Sequence, residues 1–501
     1  MRPNIKTINL LIVYAAAILL LGVLSIIKQV SVLLGIAFLI FITIIIYCMH
    51  DMKNRAALLM FVLSFFIFLL GGEMTVQYFG MPFDNTFSKE IDAHAFLCLA
   101  LSLVFLLAGF VAADHLHFHP GGDPESRRLM ATLDNEDAKS VIRRIGLIGS
   151  WIAFVPSVIR GIESGLYVMA NGYVSYYTTY KTHLPGIVTT LGQTYTMFFI
   201  IFIATCPSRK ECTLPIMAYV CNGALMLLSG RRLVVGSALL VIICYMIIRH
   251  FMDPKEGWLT RRRVILGGIF LLLLIGFLYM YRFIRYNMSL EGRGGPQIFL
   301  NFFNQQGISI DIIKFQQLYK GDRLGCVSLY YTIRYLRSSI FTRNFFSFPR
   351  ELYEMRTAQT ALYTNNLADY IAFLYNERSY YQGYGLGSCY IAEAFHDWGY
   401  AGVALVNFIY GWVFNKFFTF EGKRISIWRI AIGFMLLERF MVTPRYGADY
   451  VMECFYNLTN MIIFVSVIIY TDLRICHRIP LRVSVSTVTI DDGAFEKQET
   501  S

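Results

Sequence analysis

Long apolar runs follow one another along most of the 501 residues, separated by short polar stretches. A helix rises about 1.5 Å per residue, so roughly 20 apolar residues cross the hydrocarbon layer of a membrane. The runs do not alternate between apolar and polar residues, as barrel strands would. The pattern therefore predicts an all-α, polytopic integral membrane protein with about twelve transmembrane helices. The predicted spans are 8–27, 31–49, 56–72, 93–113, 145–159, 187–206, 213–229, 233–249, 264–281, 399–418, 427–443 and 454–471.

Composition agrees with this interpretation, because 56% of the residues are hydrophobic and only 15% are charged. The N-terminal stretch MRPNIKTINL is basic, then apolar, and lacks a small-residue cleavage site, so we interpret it as the start of the first span. The net charge of +11 could suggest nucleic-acid binding. Much of the positive excess lies in short loops, however, as the positive-inside rule expects, so we expect no nucleic-acid partner.

Lysine and arginine clusters predict the orientation. Counting every span places the clusters on one side, which we assign to the cytoplasm together with both termini. The chain then divides into N-terminal membrane helices (1–281), one large periplasmic loop (282–398), C-terminal membrane helices (399–473) and a cytoplasmic tail (474–501). The large loop contains amphipathic stretches, "IFLNFFNQQGISIDIIKFQQLY" and "VSLYYTIRYLRSSIF", which predict helices on or near the outer membrane face.

Arginines gather on the predicted outer side, where the positive-inside rule expects few of them. Arg231 and Arg232 occupy the turn of a tight helical hairpin, "LLSGRRLVVG". A single such arginine can be an interfacial anchor for phospholipid phosphate. A converging set suits a multiply charged oxyanion, because guanidinium groups bind phosphate oxygens in pairs. The predicted ligands of a lipid diphosphate are Arg160, Arg231, Arg232, Arg282, Arg439 and Arg445, with Arg285 placed beside them in a catalytic role.

The stretch "GYGLGSCYIAEAFHDWGYAGVAL" carries the candidate acid–base residues. Glu393 and His396 are three residues apart and share a helix face, so either could accept a proton from a hydroxyl group. Alternatively, Glu393 neutralises a nearby arginine and His396 is an interfacial polar residue. The glycines of "GYGLG" predict a close-packed turn. Tyr173, Tyr176 and Tyr177 in "GYVSYYTTYK" are candidates for contacting sugars, although they could equally form an interfacial aromatic belt.

Metal and disulfide signals are weak. The alternating histidines of "HLHFH" (115–119) fall in a predicted cytoplasmic turn, and the cysteines lack metal-ligand spacing. Cys326 and Cys389 in the large loop could form a disulfide in an oxidising compartment. We expect no cofactor, and no acidic pair suited to a metal is evident on the outer side.

These motifs resemble a known family. The "SGRR" turn, the "GYVSYY" loop, the long outer loop and the following "GSCYIAEAFHDWGYAGVAL" are similar to the oligosaccharide repeat unit polymerases, the Wzy-type O-antigen polymerases. The resemblance implies a type C glycosyltransferase architecture in the bacterial inner membrane. It also implies substrates linked to undecaprenyl diphosphate, contact with membrane lipids and a chain-length regulator as partner.

The expected mechanism follows from the resemblance and the arginines. Arg231, Arg232, Arg282 and Arg285 would hold the donor diphosphate, and Glu393 or His396 would take the proton of the acceptor hydroxyl without a metal. Two other functions compete with polymerisation. An O-antigen ligase would use lipid A-core as acceptor. A flippase or transporter would be expected to carry charged or broken helices at mid-membrane.

Overall fold

The computed structural model describes residues 31–82, 85–115, 131–286, 297–319, 324–338, 356–420 and 425–475. These residues form helices and no strand, with a single isolated bridge between Thr132 and Ser426. The main helices are α1 (Val32–His50), α2 (Met52–Phe79), α3 (Lys89–His115), α4 (Glu136–Asn171), α5 (Gly186–Ala204), α6 (Arg209–Leu225), α7 (Arg232–Met252), α8 (Arg261–Tyr286), α9 (Gln297–Gln306), α10 (Ser309–Leu318), α11 (Tyr330–Ser338), α12 (Ala358–Tyr363), α13 (Leu367–Tyr375), α14 (Glu377–Tyr381), α15 (Tyr390–Phe418), α16 (Ile427–Phe440) and α17 (Leu458–Ile475).

Eight of the described helices are long and apolar enough to cross a membrane, and a ninth candidate is a pair bent by 64°. The eight are α1, α2, α3, α4, α5, α7, α8 and α15, and the bent pair joins Ala448–Tyr456 to Leu458–Arg474. The predicted count of about twelve is therefore not confirmed. The predicted span 8–27 lies outside the described residues. The predicted spans 213–229 and 427–443 correspond to α6 and α16, which have only 17 and 14 residues.

Polar contacts tie the loops together at each end of the helix bundle. At the end that we call the basic end, Arg143 pairs with Glu211 (3.3 Å), and Lys416 donates to the carbonyl of Ala113 (2.8 Å). At the opposite end, which we call the site end, Asn85 donates to Asp311 (2.9 Å). The arginine-bearing turn between α6 and α7 lies at the site end, because α6 begins beside Arg143 and runs away from it.

Glycines allow the closest contact between helices in the bundle. A Cβ added to Gly109 in α3 would lie 2.0 Å from the carbonyl oxygen of Phe408 in α15. A Cβ on Gly411 would lie 2.0 Å from the carbonyl oxygen of Leu106. Small residues let helix backbones approach closely, which is how membrane helices gain packing energy. These two glycines therefore fix α15 against α3.

The segment 282–398 differs from the prediction of helices lying on the membrane face. Its first amphipathic stretch is broken at Gly307 into α9 and α10, and the first eight residues of α10 are all buried, including the side chains of Asp311 and Lys314. The prediction placed this stretch on or near the outer membrane face, whereas α10 packs inside the bundle, where its charged side chains find partners. The second stretch forms α11.

The helix that follows this segment begins before the predicted start of the tenth span. The tenth span was expected to begin at residue 399, whereas α15 begins at Tyr390. The helix is interrupted at Trp398 and Gly399, where Gly399 adopts φ +59°. This left-handed conformation is accessible to glycine and strained for other residues. Because of this interruption, the first two turns of α15, which carry Glu393, do not continue the axis of the rest of the helix.

Candidate functional site

Glu393 lies at the site end and joins two loops. Its carboxylate oxygens accept hydrogen bonds from the hydroxyl of Ser388 (2.6 Å) and the backbone N–H of Ala448 (2.7 Å). The side chain is buried, at 2% exposure. A Cβ on Gly447 would meet the carboxylate at 2.7 Å, so the turn after α16 lies directly against it. Glu393 therefore holds two segments together. His396, one turn further along α15, is half-buried.

The glycine-rich stretch before α15 is a turn, as predicted. Gly383 and Gly387 have φ values of +98° and +86°, a region that favours glycine. Arg356 fastens the turn by donating to the carbonyl oxygens of Tyr380 and Tyr384. A Cβ on Gly387 would lie 3.6 Å from the carbonyl oxygen of Arg445. The turn thus leads the chain from Arg356 past Arg445 to Ser388 and Glu393.

Arg231 and Arg160 are neighbours at the site end. The turn between α6 and α7 closes at Gly230, which has φ +79°. The guanidinium of Arg231 lies over the ring of Tyr176, 5.5 Å from its centroid. Arg160 of α4 is close enough to Arg231 for the two charges to repel, Glu163 partly offsets the charge of Arg160, and both arginine side chains are half-buried. Neither arginine forms an ion pair with a carboxylate in the described part of the chain. The two like charges repel each other, and a bound anion would stabilise them.

The tyrosine-rich loop after α4 lies beside this arginine pair. Glu163 of α4 accepts hydrogen bonds from the hydroxyl of Tyr180 (2.8 Å), the hydroxyl of Thr182 (2.7 Å) and the backbone N–H of His183 (2.7 Å). Burial, followed by the bond to Glu163, raises the pKa of Tyr180 to about 12. The rings of Tyr176 and Tyr180 are stacked at 5.0 Å. The loop is therefore anchored over Arg160 and Arg231. The side chain of Tyr177 lies outside the described part.

Arg232 points away from its neighbour. Its guanidinium donates to the carbonyl oxygen of Leu278 in α8 (3.3 Å). Arg282 is one helical turn beyond Leu278, so the backbone places Arg232 close to the end of α8 that carries Arg282 and Arg285. The side chains of Arg282 and Arg285 lie outside the described part. Arg231 and Arg232 are adjacent in the sequence, yet their side chains contact different parts of the protein.

Arg439 and Arg445 differ in their partners. Arg439, at the end of α16, pairs with Glu453 (2.9 Å) and donates to the hydroxyl of Tyr450 (3.0 Å). Arg445 donates to the side-chain oxygen of Gln306 at the end of α9 (3.2 Å). Both were predicted to bind a diphosphate. The pairing with Glu453 gives Arg439 a structural role in joining α16 to the following turn.

Tyrosines that the sequence analysis did not select connect these groups. Tyr446 and Tyr450 are stacked at 4.3 Å, and Tyr450 meets Tyr331 at 5.4 Å. Burial raises the pKa of Tyr446, although the charge of Arg445 opposes the shift. The i, i+4 spacing of Tyr446 and Tyr450 beside Arg445 could have revealed this aromatic row.

Two aspartates missed by the sequence analysis fix α11 at the site end. Asp397 accepts the backbone N–H groups of Val327 and Ser328, both at 2.9 Å. Asp449 accepts those of Tyr331 (3.3 Å) and Thr332 (2.6 Å). Carboxylates stabilise the free N–H groups at the start of a helix. A local sequence motif could not predict these contacts, because each carboxylate is more than 60 residues away from its partners along the sequence.

The structure also bears on the predicted disulfide and on the candidate metal ligands. Cys326 and Cys389 are both free thiols, and Cys326 donates to Asp397 (3.2 Å). Of the "HLHFH" histidines, 117 and 119 lie outside the described residues. Among the residues that the structure does describe, no group of three or more His, Cys, Asp or Glu side chains could hold a metal ion.

Taken together, the fold defines a multi-pass helical membrane protein with arginines, tyrosines and buried carboxylates gathered at one end. Comparison with protein families gives the identification: the family described as O-antigen polysaccharide polymerase Wzy matches residues 7–476, nearly the whole chain. The chain belongs to this family, and the predicted resemblance is confirmed. Neither a curated protein nor a solved structure matches the chain. Membership supports a glycosyltransferase-type polymerase that acts on lipid-linked oligosaccharide repeat units.

Proposed function

We propose that this protein joins undecaprenyl-diphosphate-linked repeat units into O-antigen at the periplasmic face of the inner membrane. The growing chain is transferred from its lipid carrier to the non-reducing end of a new lipid-linked unit. The observation that carries this proposal is the Arg160–Arg231 pair beside Tyr176, because two adjacent guanidinium groups suit the diphosphate of a lipid carrier.

In the proposed reaction, the bond between the anomeric carbon of the donor sugar and its phosphate oxygen breaks. A bond from the acceptor hydroxyl oxygen to that carbon forms, and undecaprenyl diphosphate leaves with the electron pair. Arg160 and Arg231 stabilise the negative charge that develops on the leaving group. Arg445 and Arg232 are proposed as further ligands of the diphosphate, together with Arg282 and Arg285 at the end of α8.

The proton of the acceptor hydroxyl needs a base within hydrogen-bond reach. Glu393 is 2% exposed and both of its oxygens already accept hydrogen bonds. We assign proton transfer to His396, which is half-buried on the same helix, and a positioning role to Glu393. Replacing His396 with alanine should abolish polymer formation while leaving the Tm of the purified protein unchanged. A full-length polymer ladder from that variant would remove His396 from the mechanism.

The orientation and partners complete the proposal. The described basic clusters near Lys53, Arg143 and Arg209 belong to the basic end of the bundle, which fits a cytoplasmic face with both termini on that side. The site end then faces the periplasm, where tyrosines such as Tyr173 and Tyr176 can contact sugars. A chain-length regulator would act on the same face.

The experiment that tests the proposal is a silver-stained gel of lipopolysaccharide from a strain lacking the gene, with and without the gene restored. We expect a single capped repeat without the gene and a ladder with it, because export and ligation still operate. Loss of every repeat, including the first, would instead identify a ligase or a flippase.

Metal independence is part of the proposal and has its own test. The arginines supply the positive charge that a metal would otherwise supply at the diphosphate. Polymerisation by the purified protein should therefore continue in the presence of a chelator. Loss of activity that returns when a divalent cation is added would contradict this part.

A further inference from the structure

The hairpin formed by α9 and α10 contacts Arg445 through the side chain of Gln306. Gln306 is the last residue of α9, is 9% exposed, and accepts a hydrogen bond from Arg445 Nη1 at 3.2 Å. Its side-chain oxygen is therefore directed at one of the arginines that we propose as diphosphate ligands. Neither the family nor the proposed chemistry assigns a role to this glutamine.

The position of Gln306 is fixed by its neighbour Gly307. A Cβ added to Gly307 would lie 2.4 Å from the Cα of Gly72 in α2, and one added to Gly72 would lie 2.9 Å from the Cα of Gly307. The backbones at Gly72 and Gly307 are therefore in direct contact, with no side chain between them. Such a contact allows only one separation of the two elements, because packed backbone cannot yield as a flexible side chain can.

A second attachment holds the same hairpin to the same helix. Lys314 of α10 pairs with Glu73 of α2 (2.6 Å) and with Asp92 of α3 (2.7 Å). The side chains of Lys314 and Glu73 are 4% and 2% exposed. Ion pairs removed from water are hardly screened by solvent. The hairpin is thus attached to α2 at two consecutive residues, Gly72 and Glu73.

The turn that carries Arg445 is also attached to α2 by a hydrogen bond. The hydroxyl of Ser64 in α2 donates to the carbonyl oxygen of Met441, just after α16, and Arg445 ends the short helix Thr443–Arg445. Both partners of the Gln306–Arg445 bond are therefore placed by one helix. A π-helical turn, Phe66–Leu70, lies between their attachment points on α2, a feature often found near functional sites.

We propose that Gln306 is a positioning residue that orients the Arg445 guanidinium for the diphosphate, with Gly72 and Gly307 setting its distance. This inference rests on the proposed function. An arginine side chain loses rotamer freedom when it binds a ligand, and a partner that restricts it beforehand reduces that loss. Gln306 thus improves substrate binding without touching substrate.

The test uses the full-length protein in lipid nanodiscs and the lipid-linked repeat unit isolated from the polymerase-deficient strain. Gln306→Leu removes the acceptor oxygen and should raise KM about tenfold, with kcat and Tm nearly unchanged. Gln306→Glu keeps an acceptor oxygen but places a negative charge against Arg445, so it should raise KM at least as much as Gln306→Leu. Gln193→Leu is the matched control, since Gln193 accepts a bond from Asn457 at the same end (3.5 Å) and should leave KM unchanged.

A double-mutant cycle separates positioning from general damage. In an Arg445→Ala background, Gln306→Leu should have no further effect on KM, because the residue through which it acts is gone. Gly307→Ala should raise KM as Gln306→Leu does, whereas Gly268→Ala in α8 should not, because nothing lies within 4 Å of that position.

The failures are distinguishable. If the wild-type protein makes no polymer from the lipid-linked unit, the proposed function fails. If the wild type polymerises and Gln306→Leu has a normal KM, the positioning role is overturned. A KM effect of equal size with and without Arg445 would also overturn it, since Gln306 would then act by another route.

Discussion

Two groups of charged side chains at the site end are built in opposite ways. In the first, which we call the lysine cluster, Lys314 bonds to Glu73 and Asp92 and interacts with the charge of Asp311. In the second, the arginine pair, Arg160 and Arg231 lie together without an ion pair to any described carboxylate. The lysine cluster is deeply buried, whereas the arginine pair is half-buried and accessible.

The difference separates charges that hold the fold from charges that are available to a ligand. A buried ion pair contributes little net stability, but removing one partner leaves an uncompensated charge. Two like charges that repel each other oppose folding slightly and gain from binding an anion. The lysine cluster should therefore respond to mutation mainly in stability, and the arginine pair mainly in activity.

The largest expected effect is on the lysine cluster. Lys314→Met leaves the buried Glu73 and the partly exposed Asp92 without their cation, which should reduce the free energy of unfolding by about 3–5 kcal/mol. Thermal melting of the purified protein measures the loss. The matched control combines Lys314→Met with Glu73→Gln and Asp92→Asn, which removes the charges together and should recover much of the stability. If the single Lys314→Met variant melts at the wild-type temperature, the lysine cluster does not stabilise the fold more than the arginine pair does.

The next effect is on the arginine pair. Arg231→Ala removes one charged donor to the diphosphate, worth about 1.5–3 kcal/mol, and should lower kcat/KM about 10- to 100-fold. Its Tm should stay close to wild type, because the repulsion from Arg160 is relieved. Arg439→Ala is the comparison variant, since it leaves Glu453 without its partner and should lower Tm instead. If Arg231→Ala lowers Tm as far as Lys314→Met does and leaves kcat/KM at the wild-type value, the two groups are not functionally distinct.

A pH effect sharpens the description of the lysine cluster. Burial raises the pKa of Asp311 from 3.8 to about 7, although its bond from Asn85 opposes the shift. The folded state then holds a proton that the unfolded state has lost, so stability should fall as pH rises from about 4 to about 7 and level off above. Asp311→Asn should flatten that part of the profile in melting experiments. An unchanged slope in the variant would assign the pH dependence to another group.

The smallest effect concerns the tyrosine over Arg231. Tyr176→Phe keeps the aromatic face and should change kcat/KM little, whereas Tyr176→Leu removes a cation–π contact worth about 0.5–1 kcal/mol. The comparison of the two variants isolates the ring from the hydroxyl. If Tyr176→Phe is as impaired as Tyr176→Leu, the hydroxyl contacts the sugar and the ring is secondary.

Parts of this architecture could be predicted from the sequence. The hydrophobic runs gave helices at α1, α2, α3, α4, α5, α7, α8 and α15, because hydrocarbon thickness sets the length of an apolar span. The predicted turn at Gly383 and Gly387 exists, because positive φ angles favour glycine. The arginines at the ends of the apolar runs indicate a functional site, because a charged side chain is costly in or near the hydrocarbon layer.

Other parts could not be predicted. Asp311 and Lys314 suggest a polar helix face exposed to water, yet α10 is buried because Glu73, Asp92 and Asn85 come from two distant helices and a loop. Helix α15 begins at Tyr390, ahead of the predicted start at 399, because a further helical segment precedes the break at Trp398 and Gly399. The short α6 and α16 also show that an apolar run does not fix how many of its residues become helical.

By itself, the sequence determined the helical membrane class, the family, and the residue types available for binding a diphosphate. Only the tertiary structure decided which arginine pairs with a carboxylate and which does not. Arg231 and Arg232 are adjacent in sequence yet face different helices, and Arg439 meets Glu453 across a turn. The physical reason is that charge is a property of the residue, whereas its neutralisation depends on the distance to neighbours that folding alone brings together.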